Sequence, residues 1–152
     1  MMKKILLFLS FLLLFSCGYT STLNNQNQQD LIINVKKLEG DFQINNFIKN
    51  QLKLASKPNS LNNFDVNVKS NYTKEIIAKD SAGIATDYKI TLELEFIIIS
   101  QNNKKINYKE NIKIKDNSEN FEQSNYEREI KRNFASATKD KLILYLLSIN
   151  DN

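Results

Sequence analysis

The 152-residue sequence has no histidine, no tryptophan, one cysteine, one proline and three glycines. Each shortage excludes something. Without histidine, the commonest general base and the imidazole metal ligand are missing. With Cys17 as the sole cysteine, no disulfide can form within the chain and no thiolate cluster can assemble. With so few residues of the breaking kind, the regular elements should be long and the turns few. There is no glycine-rich phosphate loop. The carboxylates Asp80, Asp87, Glu93 and Glu95 read as solvated surface, not as an acid/base pair. These absences argue against an enzyme and against a metal site.

Charge of one sign is also scarce. The formal net charge is +4. Lys3 and Lys4 account for two of the 21 basic residues, so the chain beyond them carries 19 basic and 17 acidic groups, a net of +2. The charges are interspersed. A nucleic-acid surface needs a basic stripe, so nucleic acid is not an expected partner.

The N-terminus is patterned. Met1-Met2-Lys3-Lys4 is a short positive start, and the residues from Ile5 to Phe15 are apolar apart from Ser10. That run is too short to cross a hydrocarbon layer of ~30 Å, which needs about 20 residues, but it suits a secretory signal. Leu14-Phe15-Ser16-Cys17-Gly18 follows and looks like a bacterial lipobox: an apolar residue three before the cysteine, a small residue beside it, then the thiol. The expectation is a signal peptide over 1–16 and lipidation at Cys17. The thiol takes a diacylglycerol, and the amine freed by cleavage takes a further acyl chain, palmitate being typical. Each buried CH₂ contributes about 0.8 kcal/mol, so two or three chains hold a protein firmly on a membrane. Apart from this covalent lipid, no cofactor is expected. An ordinary signal peptide with an incidental cysteine is the alternative, although the one cysteine stands where the motif requires it. Gly18, not Asp, follows the anchor, which implies the outer membrane. The Asn- and Gln-rich stretch over 17–30 reads as a polar tether.

The residues over 31–152 read as one domain, a size that buries roughly two thirds of its surface on folding. Leu31 to Leu38 alternates as a strand, and Gly40 ends it. Asp41 is suited to cap a helix from Phe42 to about Ala55, with Ile44, Phe47, Ile48 and Leu52 on its apolar face. Pro58 disfavours helix before it. A second strand runs from near Phe64 to Lys79, and Asp80 to Thr86 is a loop. The third strand places Tyr88, Ile90, Leu92, Leu94, Phe96 and Ile98 on one face. The fourth does the same with Ile106, Tyr108, Ile112 and Ile114. Because both strands carry their apolar residues at even numbers, the loop between them must hold an odd number of residues. Gln101-Asn102-Asn103 is the expected loop, with an Asn in the left-handed conformation. From Ser118, the expected cap, a helix reaches about Ile149, with Tyr126, Ile130, Phe134, Ala137 and Leu144 as its stripe. The stretch from Leu142 to Leu147 is apolar all round. It either closes the core beside the first strand or docks on a partner. The expected class is α+β: a two-layer sandwich, β-α-β-β-β-α, with a four-stranded mixed sheet and two helices on one face. Asn71-Tyr72-Thr73 matches a glycosylation sequon by chance, since it falls in a strand of a bacterial lipoprotein.

The lipobox cysteine followed by Gly18-Tyr19, the polar tether and this element order resemble the LptE family of lipopolysaccharide-assembly lipoproteins. The stretch Lys79-Asp80-Ser81-Ala82-Gly83-Ile84-Ala85-Thr86-Asp87-Tyr88, and Tyr126-Glu127-Arg128-Glu129, are similar to alphaproteobacterial members. The resemblance covers nearly the whole chain through short motifs. It implies a lipid-anchored protein on the periplasmic side of the outer membrane. Such a protein plugs the large LptD β-barrel, helps that barrel fold, and assists delivery of lipopolysaccharide to the outer leaflet. A plug needs a polar surface and enough length for a barrel wall about 25 Å tall. For lipopolysaccharide contact the placement candidates are Lys74, Lys79, Lys104 and Lys105, whose cations suit lipid A phosphates; their bland alternative is solvation of loop ends. For barrel contact the candidates are Asp80, Gly83 and Thr86; the alternative is a plain hairpin connection in which Gly83 supplies a positive φ. A different reading of the whole is a small envelope lipoprotein that binds a lipid or other apolar ligand between sheet and helices.

Overall fold

The computed structural model describes residues 31–149 apart from 59, 117 and 118. The signal peptide, Cys17, the tether and Ser118 lie outside the described residues. The elements run β1 (Leu31–Gly40), α1 (Phe42–Ala55), β2 (Asn62–Lys79), β3 (Ala85–Ile98), a 3₁₀ turn (Ile99–Gln101), β4 (Lys104–Lys115) and α2 (Asn120–Ser148). The sheet order is β1-β2-β3-β4. β1 lies parallel to β2 and the other neighbours are antiparallel, so the sheet is mixed. This is the expected two-layer α+β architecture.

Alternation does most of the construction. Val66, Val68, Ile90, Leu92, Leu94, Phe96 and Ile98 all point to one face and are closed to solvent. Ile44, Ile48 and Leu52 from α1 and Ile130, Phe134, Leu142 and Leu146 from α2 cover that face in a single core cluster. Asp41 caps α1 as expected, accepting from the Ile44 N–H at 2.9 Å. Ser56 ends the helix: its backbone N–H and hydroxyl both donate to the Leu52 carbonyl, and its hydroxyl accepts from the Ile33 N–H, which ties the helix end to β1. At about 3.3 Å per residue, the 18-residue β2 is roughly 56 Å long.

Three expectations need correction. The β3–β4 loop is odd in length but longer: Ile98 pairs with Lys104, leaving five residues from Ile99 to Asn103. Burial of Ile98 extends β3, and the chain then turns through the 3₁₀ segment and two left-handed residues, Asn102 and Asn103 (φ 53 and 58). The β2–β3 loop is shorter than expected. β3 begins at Ala85, so Thr86 is a strand residue whose carbonyl accepts from the Asp116 N–H at 2.8 Å. The stripe of α2 is rotated. Tyr126, Ala137 and Leu144 are exposed, while Gln123, Lys131, Ala135 and Thr138 are buried beside Ile130 and Phe134. The reason is polar: the inward face of α2 carries charged and amide groups that find partners beneath it. Lys131, for example, reaches Asp41 at 2.8 Å, while the buried Thr138 hydroxyl is satisfied within α2 by the Phe134 carbonyl at 2.9 Å. The apolar end of α2 closes the core, with Leu142 and Leu146 fully buried.

Candidate functional site

β2 places two polar residues, Ser70 and Lys74, at positions of core parity. Around them sits a connected network. The Ser70 hydroxyl donates to Asn45 Oδ1 on α1 at 2.9 Å. The Lys131 ammonium reaches Asp41 Oδ2 at 2.8 Å and lies 3.8 Å from the centre of the Tyr72 ring. The Tyr72 hydroxyl donates to Glu127 Oε2 at 2.6 Å; Lys74 (2.7 Å) and Gln123 (3.0 Å) both donate to Glu127 Oε1. Lys74 also stands 4.0 Å from the centre of the Tyr88 ring. Gln123, Glu127 and Lys131 are spaced four apart, so one helix face supplies all three. Buried charges of this kind persist because they are paired and hydrogen-bonded. The network fixes where the long helix lies on the sheet.

Its electrostatics follow from the contacts. Burial and the Glu127 carboxylate hold the Tyr72 phenol well above its ordinary range, so it stays a donor. Burial works to raise the Glu127 pKa, but the hydrogen bonds from Lys74, Tyr72 and Gln123 and the Lys74 charge together outweigh it, so the net shift is downward. A carboxylate lowered in the folded state contributes stability above its unfolded value, near 4.5, and loses it as pH falls through the folded value. The wild type should therefore lose urea resistance below pH 4.5. Glu127→Gln should be less stable at pH 7 by about 1–3 kcal/mol and should show a shallower acid loss. Equal acid slopes in the two proteins would remove Glu127 from this role.

The opposite face of the sheet is uncovered by either helix and is charged. Lys109 meets Glu93 at 2.7 Å, Lys105 meets Glu95 at 3.4 Å and Lys113 meets Asp87 at 3.4 Å. Lys109 and the Asn71 amide hold the Glu93 carboxyl below its usual range. Thr91 donates to Asn111 at 2.8 Å. A shallow depression of about 320 Å³ lies here, lined by Lys69, Asn71, Glu93, Glu95, Asn107 and Lys109 among others. The carboxylates Asp87, Glu93 and Glu95 are thus occupied by lysines, and no acid or cysteine cluster suited to a metal occurs among the described residues.

The expected contact residues do not converge. Lys79 ends β2 and Lys104 begins β4, at opposite ends of β3, roughly 43 Å apart along that strand. Lys105 is engaged with Glu95, and the exposed Lys74 is engaged with Glu127 on α2. Asp80 and Gly83 form a self-contained turn. Asp80 Oδ1 accepts from the Ala82 and Ile84 N–H groups at 2.9 and 2.8 Å, and Gly83 has φ +82 and donates to the Asp80 carbonyl. Ile76, Ile77 and Ile84 are exposed around that turn. The buried network was not anticipated from sequence. Its available signal was polar residues at core parity in β2 together with the four-residue spacing in α2.

No family model matches the chain, and no curated protein sequence matches it. Among solved structures, it is similar to rare lipoprotein B from Shewanella oneidensis, with a TM-score of 0.53 at 11% identity over 75% of this chain and 98% of that one. It also overlaps a minor lipoprotein from Acinetobacter baumannii (TM-score 0.46, 15% identity, 70% of this chain and 91% of that one). A third overlap is with uncharacterized lipoprotein B from Nitrosomonas europaea (TM-score 0.44, 8% identity, 75% and 85%). The first likeness establishes a shared fold: this chain has the two-layer α+β fold of the Shewanella protein.

Proposed function

We propose that this chain is an envelope lipoprotein of LptE type, anchored through Cys17 on the periplasmic side of the outer membrane. It occupies the lumen of a large LptD-like β-barrel, helps that barrel assemble, and supports lipopolysaccharide transport to the outer leaflet. It performs no catalysis itself. The observation that carries the reading is the one-sided sheet. One face is largely covered by helices, while the other presents a ladder of lysine–carboxylate pairs to the outside. Barrel lumens are polar, so a plug must offer polar, charge-balanced surface. The length of β2, roughly 56 Å, exceeds a barrel wall about 25 Å tall. A lipid tether would keep the domain at high local concentration beside its barrel.

Transport of a lipid between sheet and helices fits less well, because side chains such as Phe96, Leu92, Ile48 and Leu142 already fill that interface and are closed to solvent. Purification of the tagged full chain from its native outer membrane should bring down a large barrel whose gel mobility changes on heating. Recovery of the chain from that membrane with no such barrel would overturn the proposal.

A further inference from the structure

β4 is the last strand of the sheet, and among the described residues nothing pairs with its outer side. Alternate residues of this twelve-residue strand therefore turn a row of backbone donors and acceptors outward. α2 covers this edge incompletely, leaving a groove of about 480 Å³ between strand and helix. Its walls include Tyr108, Lys109 and the one β4 acid, Glu110, together with Phe134, Ala137 and Lys141 on α2. Tyr108 and Phe134 make the floor apolar, and the Lys141 ammonium stands 5.5 Å from the centre of the Tyr108 ring at the rim.

From this arrangement we infer that the β4 edge and the β4–α2 groove form a docking site for an extended acidic segment of a partner protein, which adds to the sheet as a fifth strand. Main-chain bonds to the edge supply affinity, and alternate side chains enter the groove. Charge selects the occupant. β4 holds five lysines against the single acid Glu110. Lys105, Lys109 and Lys113 are matched from β3, but Lys104, Lys115 and Lys141 have no ion-pair partner among the described residues. A second copy is disfavoured, because two lysine-rich edges would be set side by side. This site borders the charged open face, with Lys109 at the boundary of both, and the inference does not rest on the barrel reading.

The test uses the full-length chain in detergent with fluorescein-labelled peptides, one of alternating Val and Glu and one of alternating Val and Lys. The acidic peptide should bind about tenfold or more tightly than the basic one. Methylating alternate backbone nitrogens on the peptide edge facing β4 should weaken it by a similar factor. Ala137→Arg is the sharper variant, because Ala137 is exposed and the change fills the groove while adding positive charge. Site-specific docking predicts weaker binding of the acidic peptide to this variant, whereas general attraction to a basic protein predicts tighter binding. Tighter binding to Ala137→Arg, indifference to backbone methylation, or no preference for the acidic peptide would each overturn the inference. So would sedimentation showing that the chain self-associates through this edge.

Discussion

Replacing Gly40 by alanine should destabilise the domain by about 3 kcal/mol or more, one of the largest effects available to a single methyl group. Gly40 closes β1 opposite Ser70 with φ +97, a backbone conformation that other residues adopt only under strain. A Cβ there would lie 1.7 Å from the Ser70 carbonyl oxygen and 2.8 Å from its carbon. Those are backbone atoms of β2, which is paired on both sides by β1 and β3, so neither can swing aside. Gly83 supplies the internal comparison. It also has a positive φ, +82, but a Cβ at that position would meet nothing within 4 Å. Gly83→Ala should therefore cost only the strain of the left-handed conformation, about 1–2 kcal/mol. Urea unfolding followed by circular dichroism reads both variants. Equal losses at the two glycines would show that strain alone matters and that the close approach at Ser70 is not what requires Gly40.

The second large effect is expected at Asp41, which performs two jobs with its two oxygens. Oδ1 accepts from the Ile44 N–H at the start of α1, and Oδ2 receives the Lys131 ammonium from α2. Asp41→Ala removes a cap worth about 1 kcal/mol and strands a buried cation, for a total of about 4 kcal/mol. Lys131→Met should cost less, about 2 kcal/mol, because the Asp41 carboxylate loses its cation but keeps the cap bond from the Ile44 N–H and is the more exposed of the two. The double variant should then be more stable than the sum of the two losses predicts, with a coupling of about 2 kcal/mol. Strict additivity would mean that the two side chains do not depend on one another, and the account of how α2 is held would fail.

These two sites mark where the sequence was and was not informative. The even-numbered apolar runs of β3 and β4, and Ile44, Ile48 and Leu52 on α1, are read directly from periodicity because burial alone decides which way they face. The same logic misplaced the inward face of α2. Tyr126 and Leu144 are apolar and exposed, whereas Lys131 and Gln123 are polar and buried. Hydropathy ranks residues one at a time. It does not register that Asp41, some ninety positions earlier, waits to pair with Lys131. The Lys74 pairing was equally invisible: the side chain is exposed, yet it is bonded to Glu127, 53 positions later on α2. The hairpin between β3 and β4 shows a milder limit. Parity required an odd loop but could not choose between three residues and five, since both keep the same side chains inward. Cross-strand partners such as Lys109 and Glu93 depend on that choice of register.

The burial of Leu142 and Leu146 has a consequence for how the chain comes into being. Both residues are fully enclosed, and they belong to the last turns of the final helix. A polypeptide emerging N-terminus first, from a ribosome or through a narrow pore, has its four strands ready long before these side chains appear. Until they arrive, part of the greasy side of the sheet lacks its lid, and the compact state falls short of its full stability. Completion of the core therefore waits for the C-terminal turns of α2.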